Sequence, residues 1–275
     1  MMLLAIDVGN SNSSIGVFEG ERLRCELRLA THRDWTRDEF AIKLERALAL
    51  QGMDFEGIDG AVLASVVPPV TEPIVAALAR YVGVEALVVT PMLDTGMPVL
   101  YEPAQDVGAD RIVAAIAAHE RYARIDPGPG GVPGAGQTNT AIIIVDFGTA
   151  TTFDVVSPTP EYLGGVIAPG VGISADALFR RAAKLPRVDV AKPASVVGRN
   201  TVGAIQSGLF YGYVGLVEGV LARIRGELSW EARVIATGGL ARKVAHETAS
   251  IDIVDDNLML EGLRLLHLRK RKSGS

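Results

Sequence analysis

The chain has 275 residues and a formal net charge of −5, with 48% hydrophobic and 5% aromatic residues. That apolar share builds a sizeable core and excludes wholesale disorder, and the length suits one large domain or two modest ones. An acidic chain poor in aromatic rings argues against a nucleic-acid partner, whose phosphates need a basic surface and whose bases need stacking.

In chain order, residues 3–8 read as a strand, 15–18 as a second joined to it in hairpin fashion, and 23–30 as a third. Phe40, Leu44, Ala47 and Leu48 fall at helical spacing, which predicts a helix over 36–51. A buried strand over 60–67 stops at Pro68-Pro69, a helix follows over 70–82, and 86–89 is another strand. The result is a βββαβαβ module. An Ala/Ile-rich helix over 112–119 precedes the Pro/Gly-rich stretch 126–136, which can be neither helix nor strand. The order then begins again: strands at 142–146, 151–156 and 161–167, helices at 174–183 and 204–225, a strand at 233–236, a helix from 241, a strand at 251–254 and a last helix at 258–269. The expected organisation is an N-terminal half over 1–125, a connecting loop over 126–140 and a C-terminal half over 141–275.

Both halves carry an apolar run ending in Asp-x-Gly and small polar residues. The first is Asp7-Val8-Gly9-Asn10-Ser11-Asn12-Ser13-Ser14; the second is Asp146-Phe147-Gly148-Thr149-Ala150-Thr151-Thr152. A strand stopping there turns backbone N–H groups and hydroxyls toward one point beside a carboxylate, an arrangement that fits phosphates with a divalent cation. A plain tight turn uses the same residue types. Occurring as a matched pair, the two runs point to a duplicated fold gripping one nucleotide from both sides.

Between the halves, Tyr101 and Gly108-Ala109-Asp110-Arg111 lead into the Ala/Ile-rich helix. Asp110 can cap that helix, or accept a hydroxyl proton while Arg111 neutralises a phosphoryl group. Thr201 opens the long helix as an N-cap or as a ligand donor, and Thr237-Gly238-Gly239 after a buried strand permits close backbone approach. The histidines 32, 119, 246 and 267 read as surface or helix-end residues without zinc-ligand spacing. The Walker loop, the dinucleotide-binding glycine fingerprint and the Gly-x-Ser-x-Gly elbow are all missing from the sequence.

These residues, with Gly164-Gly-x-Ile-x-Pro-Gly170, Asn200-Thr201 and Leu258-x-Leu-Glu-Gly262, resemble type III pantothenate kinase along nearly the whole chain. The resemblance implies duplicated actin-like (ribonuclease H-like) α/β domains with an interdomain nucleotide cleft. It implies ATP-dependent phosphorylation of pantothenate, with Asp110 as general base. The loop from Asp7 through Ser14 would cradle ATP phosphates, Asp7 near Mg²⁺, with Thr149 touching ATP. Tyr101, Gly108, Ala109, Asp110, Arg111 and Thr201 would line the pantothenate site, and Asp146 would hold K⁺ or NH₄⁺. A homodimer is implied too, with Thr201 acting across its interface.

Two departures from the family pattern stand out: Ser11 where Thr is commoner, and a longer Pro/Gly loop. Cys25 is the only cysteine, no apolar run approaches a membrane span, and no basic-then-apolar signal opens the chain. A soluble, cytoplasmic protein with no membrane partner is expected. The basic residues 269–272 read as a solvated helix end. The competing functions are a regulatory protein on the same fold, and a sugar kinase or polyphosphate-cleaving phosphatase.

Overall fold

A computed structural model describes residues 2–90, 92–123, 140–182 and 184–273, so the Pro/Gly stretch 126–136 lies outside the described residues. The chain divides into two compact units, Met1–Ala117 with Asn257–Ser275, and Ala118–Asp256.

The first unit holds strands β1 (Met2–Val8), β2 (Asn12–Glu19), β3 (Arg22–Ala30), β4 (Ile58–Ser65) and β5 (Ala86–Val89) in the order β3-β2-β1-β4-β5. The first three pair antiparallel; β4 and β5 add on in parallel. One face carries Leu4, Ile6, Val8, Ile15, Val17 and Leu63, packed under helices α1 (Arg37–Ala49) and α2 (Pro68–Ala77). Helix α1 starts where a capping box forms: the Glu39 N–H donates to Thr36 Oγ1 at 3.3 Å, and the Thr36 N–H to Glu39 Oε2 at 3.0 Å. The two prolines expected only to stop the strand instead occupy the first positions of α2, where a missing N–H costs nothing. Helix α2 runs into a π-helical turn, Leu78–Val82.

Helix α3 (Ala109–Tyr122) follows β5 through a long loop. The opposite face of the first sheet is covered by the chain's last helix, Leu258–Ser273. Both faces are therefore buried, which is why β1 and β4 read as continuous apolar runs.

The second unit repeats the topology. Strands β6 (Thr140–Phe147), β7 (Ala150–Val156), β8 (Tyr162–Pro169), β9 (Glu231–Gly238) and β10 (Ile253–Val254) lie in the order β10-β9-β6-β7-β8. Again the first three pair antiparallel and the last two join in parallel. Helices α4 (Val171–Arg181), α5 (Thr201–Glu227) and α6 (Ala241–Ala245) precede α7 (Leu258–Ser273). Helix α5 buries Phe210, Tyr213, Val214, Val217 and Leu221 against Ile143, Val145 and Phe153 of the sheet. The expected duplication is thus met in sheet order and pairing, with two helices rather than one between β8 and β9, although little beyond the Asp-x-Gly turns repeats in sequence.

His267 departs from the surface reading. It lies within α7, partly buried against β4, and an added Cβ at Gly60 would come within 3.1 Å of its ring. Burial there lowers its pKa, with Arg271 acting in the same direction and Asp59 opposing.

Candidate active site

Strand register places each candidate side chain. Asp7 is the penultimate residue of β1, opposite Ser14 on β2 and Ala64 on β4, so its half-buried carboxylate stands at the C-terminal edge of the sheet. The turn beyond it closes when the Gly9 N–H donates to the Asn12 carbonyl at 3.0 Å. A Cβ at Gly9 would lie 2.9 Å from that oxygen, so any other residue pries the turn open.

Asn10, Ser11 and Asn12 are exposed at the tip. Strand β2 begins at Asn12 rather than at Ile15, which places Ser13 and Ser14 in the strand. Ser13 is fully buried, its Oγ 2.9 Å from Thr31 Oγ1, and the Thr31 N–H donates to the Ser11 carbonyl at 3.0 Å. Ser13 thus fastens the loop and leaves Asn10, Ser11 and Asn12 exposed at its tip. Sequence reading missed Thr31; its position just past the alternating strand β3 was the available signal.

The segment between β5 and α3 carries Tyr101, half-buried, and then a single 3-10 turn, Ala104–Asp106. Val107 anchors the segment in the core. Gly108 precedes α3, and its carbonyl accepts from the Arg111 N–H at 3.1 Å. Asp110 is the second residue of the helix, and its Oδ1 accepts the Arg111 N–H at 2.9 Å. Its carboxylate folds back so closely over Gly108 that a Cβ there would overlap Oδ1. Burial pushes the Asp110 pKa up, and the N–H and charge of Arg111 only partly offset it. Arg111 itself is buried. A half-buried, basic carboxylate beside a buried guanidinium is suited to taking a proton while charge on neighbouring oxygens is neutralised.

In the second unit Asp146 stands opposite Thr152 on β7 and Thr237 on β9. The turn past it is closed by the Gly148 N–H donating to the Ala150 carbonyl at 3.0 Å, with Gly148 and Thr149 exposed. Gly238 has φ +90°, and a Cβ there would lie 2.5 Å from Asp146 Oδ1 and 2.7 Å from the Phe147 carbonyl. Gly170 backs the same turn: a Cβ there would overlap the Thr149 carbonyl and lie 2.7 Å from that of Gly148. The Asp146 carboxylate and the Phe147 carbonyl thus both lie close against Gly238, oxygens of the kind a hard cation takes.

Two supports escaped the sequence reading. Tyr213 of α5 donates its hydroxyl to the Pro169 carbonyl and lies 3.1 Å from Thr151 Oγ1, tying β7 and β8 together near the turn. Asp154, 1% exposed, accepts from the Tyr162 hydroxyl at 2.6 Å and from Thr152 Oγ1 at 2.9 Å.

Thr201 is not the cap of α5. Asn200 is, its Oδ1 accepting from the Gly203 N–H at 2.8 Å, which leaves the Thr201 side chain exposed at the first helical turn. Thr201 lines a cavity of about 810 Å³ with Ser174, Leu178, Arg199, Asn200 and Leu209.

Among the described residues no three His, Cys, Asp or Glu side chains gather into a metal-binding group. A lone carboxylate at each strand end instead fits a cation whose remaining ligands are phosphate oxygens, carbonyls and water. Asp7 and the segment from Tyr101 to Arg111 belong to the first unit; Asp146, Thr149 and Thr201 belong to the second.

Comparison with known proteins identifies the family and the fold. A relative from Anaeromyxobacter sp. (strain K), named a type III pantothenate kinase, is 50% identical over 98% of this chain and 100% of its own length. Among solved structures, the chain is similar to the activator of 2-hydroxyisocaproyl-CoA dehydratase from Clostridium difficile with bound ADPNP. That likeness has a TM-score of 0.55 at 11% identity, over 100% of this chain and 97% of the other. A ROK family glucokinase from Streptomyces griseus, in complex with glucose and AMPPNP, aligns with a TM-score of 0.52 at 13% identity, over 98% and 100% of the two chains. At such identities the likeness establishes the shared actin-like α/β fold. The family profile of type III pantothenate kinase matches residues 3–223, and this chain belongs to that family.

Proposed function

We propose that the chain catalyses ATP-dependent phosphorylation of pantothenate to 4′-phosphopantothenate, the first step of coenzyme A biosynthesis, with Asp110 as the general base. Family membership supports the reaction. The observation that carries the base assignment is the half-buried Asp110 carboxylate, made more basic by burial and set beside Arg111 at the start of α3.

The primary hydroxyl of pantothenate gives its proton to Asp110 as its oxygen bonds to the γ-phosphorus and ADP departs. Little bond-making needs help in a loose phosphoryl-transfer transition state; position and charge neutralisation matter most. With Gly9 closing the turn, Asn10, Ser11 and Asn12 offer N–H and polar side-chain donors to the phosphates, and Thr149 adds a hydroxyl. Asp7 would hold Mg²⁺, and Asp146 with the Phe147 carbonyl would hold K⁺ or NH₄⁺; bound there, these ions supply positive charge to the phosphates. Tyr101, Gly108, Ala109 and Arg111 orient pantothenate, with Thr201 as a further contact.

A cytoplasmic homodimer completes the reading. Its support is a run of exposed apolar side chains in the second unit, among them Ile173, Phe179, Val196 and Val197, the last 78% exposed. Among the described residues no helix is long and apolar enough to cross a membrane.

A coupled ADP-release assay with pantothenate, a panel of sugars and water as acceptors tests the reaction. Turnover is expected with pantothenate alone, and preference for a sugar or for water would replace this reading. Asp110→Asn should lower kcat by about a thousandfold while leaving ATP binding and folding intact. Near-normal turnover by that variant would remove the base assignment.

A further inference from the structure

Helix α7 comes from the far end of the chain, yet it touches the segment that carries Asp110 at two places. At the first, Gly262 faces α3 so closely that a Cβ would overlap the Val113 carbonyl and come within 2.7 Å of Val113 Cγ1. Val113 lies one helical turn beyond Asp110, so the spacing of the two helices sets where that carboxylate stands. At the second, Arg269 donates through Nη1 to the Thr95 carbonyl at 3.2 Å, and Lys270 Nζ lies 3.8 Å from Asp94 Oδ2.

The turn around Thr95 is itself tied to the catalytic segment. Thr95, Met97 and Val99 line a cavity of about 100 Å³ with Val107, Ala109 and Ile112, the residues that flank Asp110. Between these two grips, Leu263 and Leu266 are fully buried, which fixes α7 in rotation and height.

We propose that α7 is a brace for the substrate segment: Gly262 and Arg269 are positioning residues that hold residues 93–112 in the geometry pantothenate and Asp110 need. The Leu258-x-Leu-Glu-Gly262 run then serves the reaction without touching substrate. Gly262 permits the close approach, and the leucines on either side drive it. Arg269 contributes a directed hydrogen bond from a guanidinium whose neighbour Lys270 faces Asp94. Displacement of a reacting group by about an ångström can cost about a hundredfold in rate, so a brace of this kind shows in kinetics before it shows in stability.

The proposal rests on the assignment of residues 101–111 to pantothenate, and its test separates the two. Arg269→Ala and Arg269→Lys are compared with the wild-type chain in steady-state kinetics, and in hydrogen exchange without any substrate. For Arg269→Ala, KM for pantothenate should rise about tenfold with KM for ATP within twofold, and Arg269→Lys should recover part of the loss. Exchange in residues 93–107 should quicken in Arg269→Ala, whatever the acceptor proves to be. Unchanged exchange and unchanged KM for pantothenate would overturn the brace. So would an equal loss in every kinetic constant together with a lowered Tm, which marks a purely structural role. Quickened exchange in a chain that does not phosphorylate pantothenate would keep the brace and remove the substrate assignment instead. Gly262→Ala should lower kcat more than it raises either KM, because α3 itself must move.

Discussion

Asp7 and Asp146 hold equivalent places in two sheets of one topology, near the C-terminal end of the central strand and beside its antiparallel neighbour. Even the backbone bond beyond each repeats: the Val66 N–H donates to the Val8 carbonyl at 3.0 Å, and the Gly239 N–H to the Phe147 carbonyl at 3.2 Å. The turns then diverge. Residues 9–11 separate β1 from β2, but only residues 148–149 separate β6 from β7. The longer turn exposes Asn10 and Ser11 at its tip, whereas the shorter one is backed by Gly170 and Gly238 with their neighbours' carbonyls at close range.

The residue opposite the strand end tells the same story. Ser65 pairs with Val8, and its Oγ accepts from the Val67 N–H at 3.1 Å and from Thr71 Oγ1 at 2.9 Å, turning toward α2. Gly238 pairs with Phe147 and, lacking a side chain, leaves the Asp146 carboxylate against bare backbone. One duplicated scaffold thus presents exposed polar groups at its first turn and close-set oxygens at its second, a division that the proposed function assigns to anions and a cation.

The largest expected effects break this division of labour at the carboxylates. Asp7→Asn and Asp146→Asn should each lower kcat/KM by about 10²–10³-fold. The first loss should be partly recovered by raised Mg²⁺ and the second by raised K⁺; the opposite pattern, read from metal titrations, would reverse the two roles.

Next comes the glycine. Gly238→Ala should destabilise the fold by about 1–3 kcal/mol, because a side chain at φ +90° is strained and the new methyl meets Asp146. Ser65→Ala should cost about 1 kcal/mol through its lost hydrogen bonds. Equal costs in chemical denaturation would mean that the two strand ends are packed alike.

The smallest effect is on stability, at Asp110. Its pKa is raised in the fold, so the fold favours the protonated form, and stability is lost as pH rises through the raised value. Asp110→Asn removes that loss. At neutral pH its Tm should equal or slightly exceed the wild type, and the difference should vanish in acid below the ordinary 3.8 of an aspartate. A base must be ionised, so the acid limb of kcat/KM should fall at a pH above 3.8. An acid limb at or below that value would contradict the buried environment of the carboxylate.

Legibility differed by element for physical reasons. Strand β1 was clear because both its faces are buried, and Phe40, Leu44 and Leu48 announced α1 through their period. The start of β2 reads as loop because Ser13 and Ser14 are turn-type residues, and only their ladder pairing, Ser13 with Val8 and Leu29 and Ser14 with Asp7 and Arg28, makes them strand. Asn200 rather than Thr201 caps α5 because two adjacent capping residues carry the same local signal, and backbone geometry chooses between them.

The sequence by itself determined the duplicated βββαβαβ order, the two Asp-x-Gly turns, the Gly108–Arg111 segment and membership of the family, because each is written in short runs of neighbouring residues. Tertiary structure alone decided that Gly238 stands against Asp146, that Thr31 fastens the first turn, and that α7 returns to the first unit to grip α3. Those contacts join residues distant along the chain, and local propensity does not encode the approach of one backbone to another.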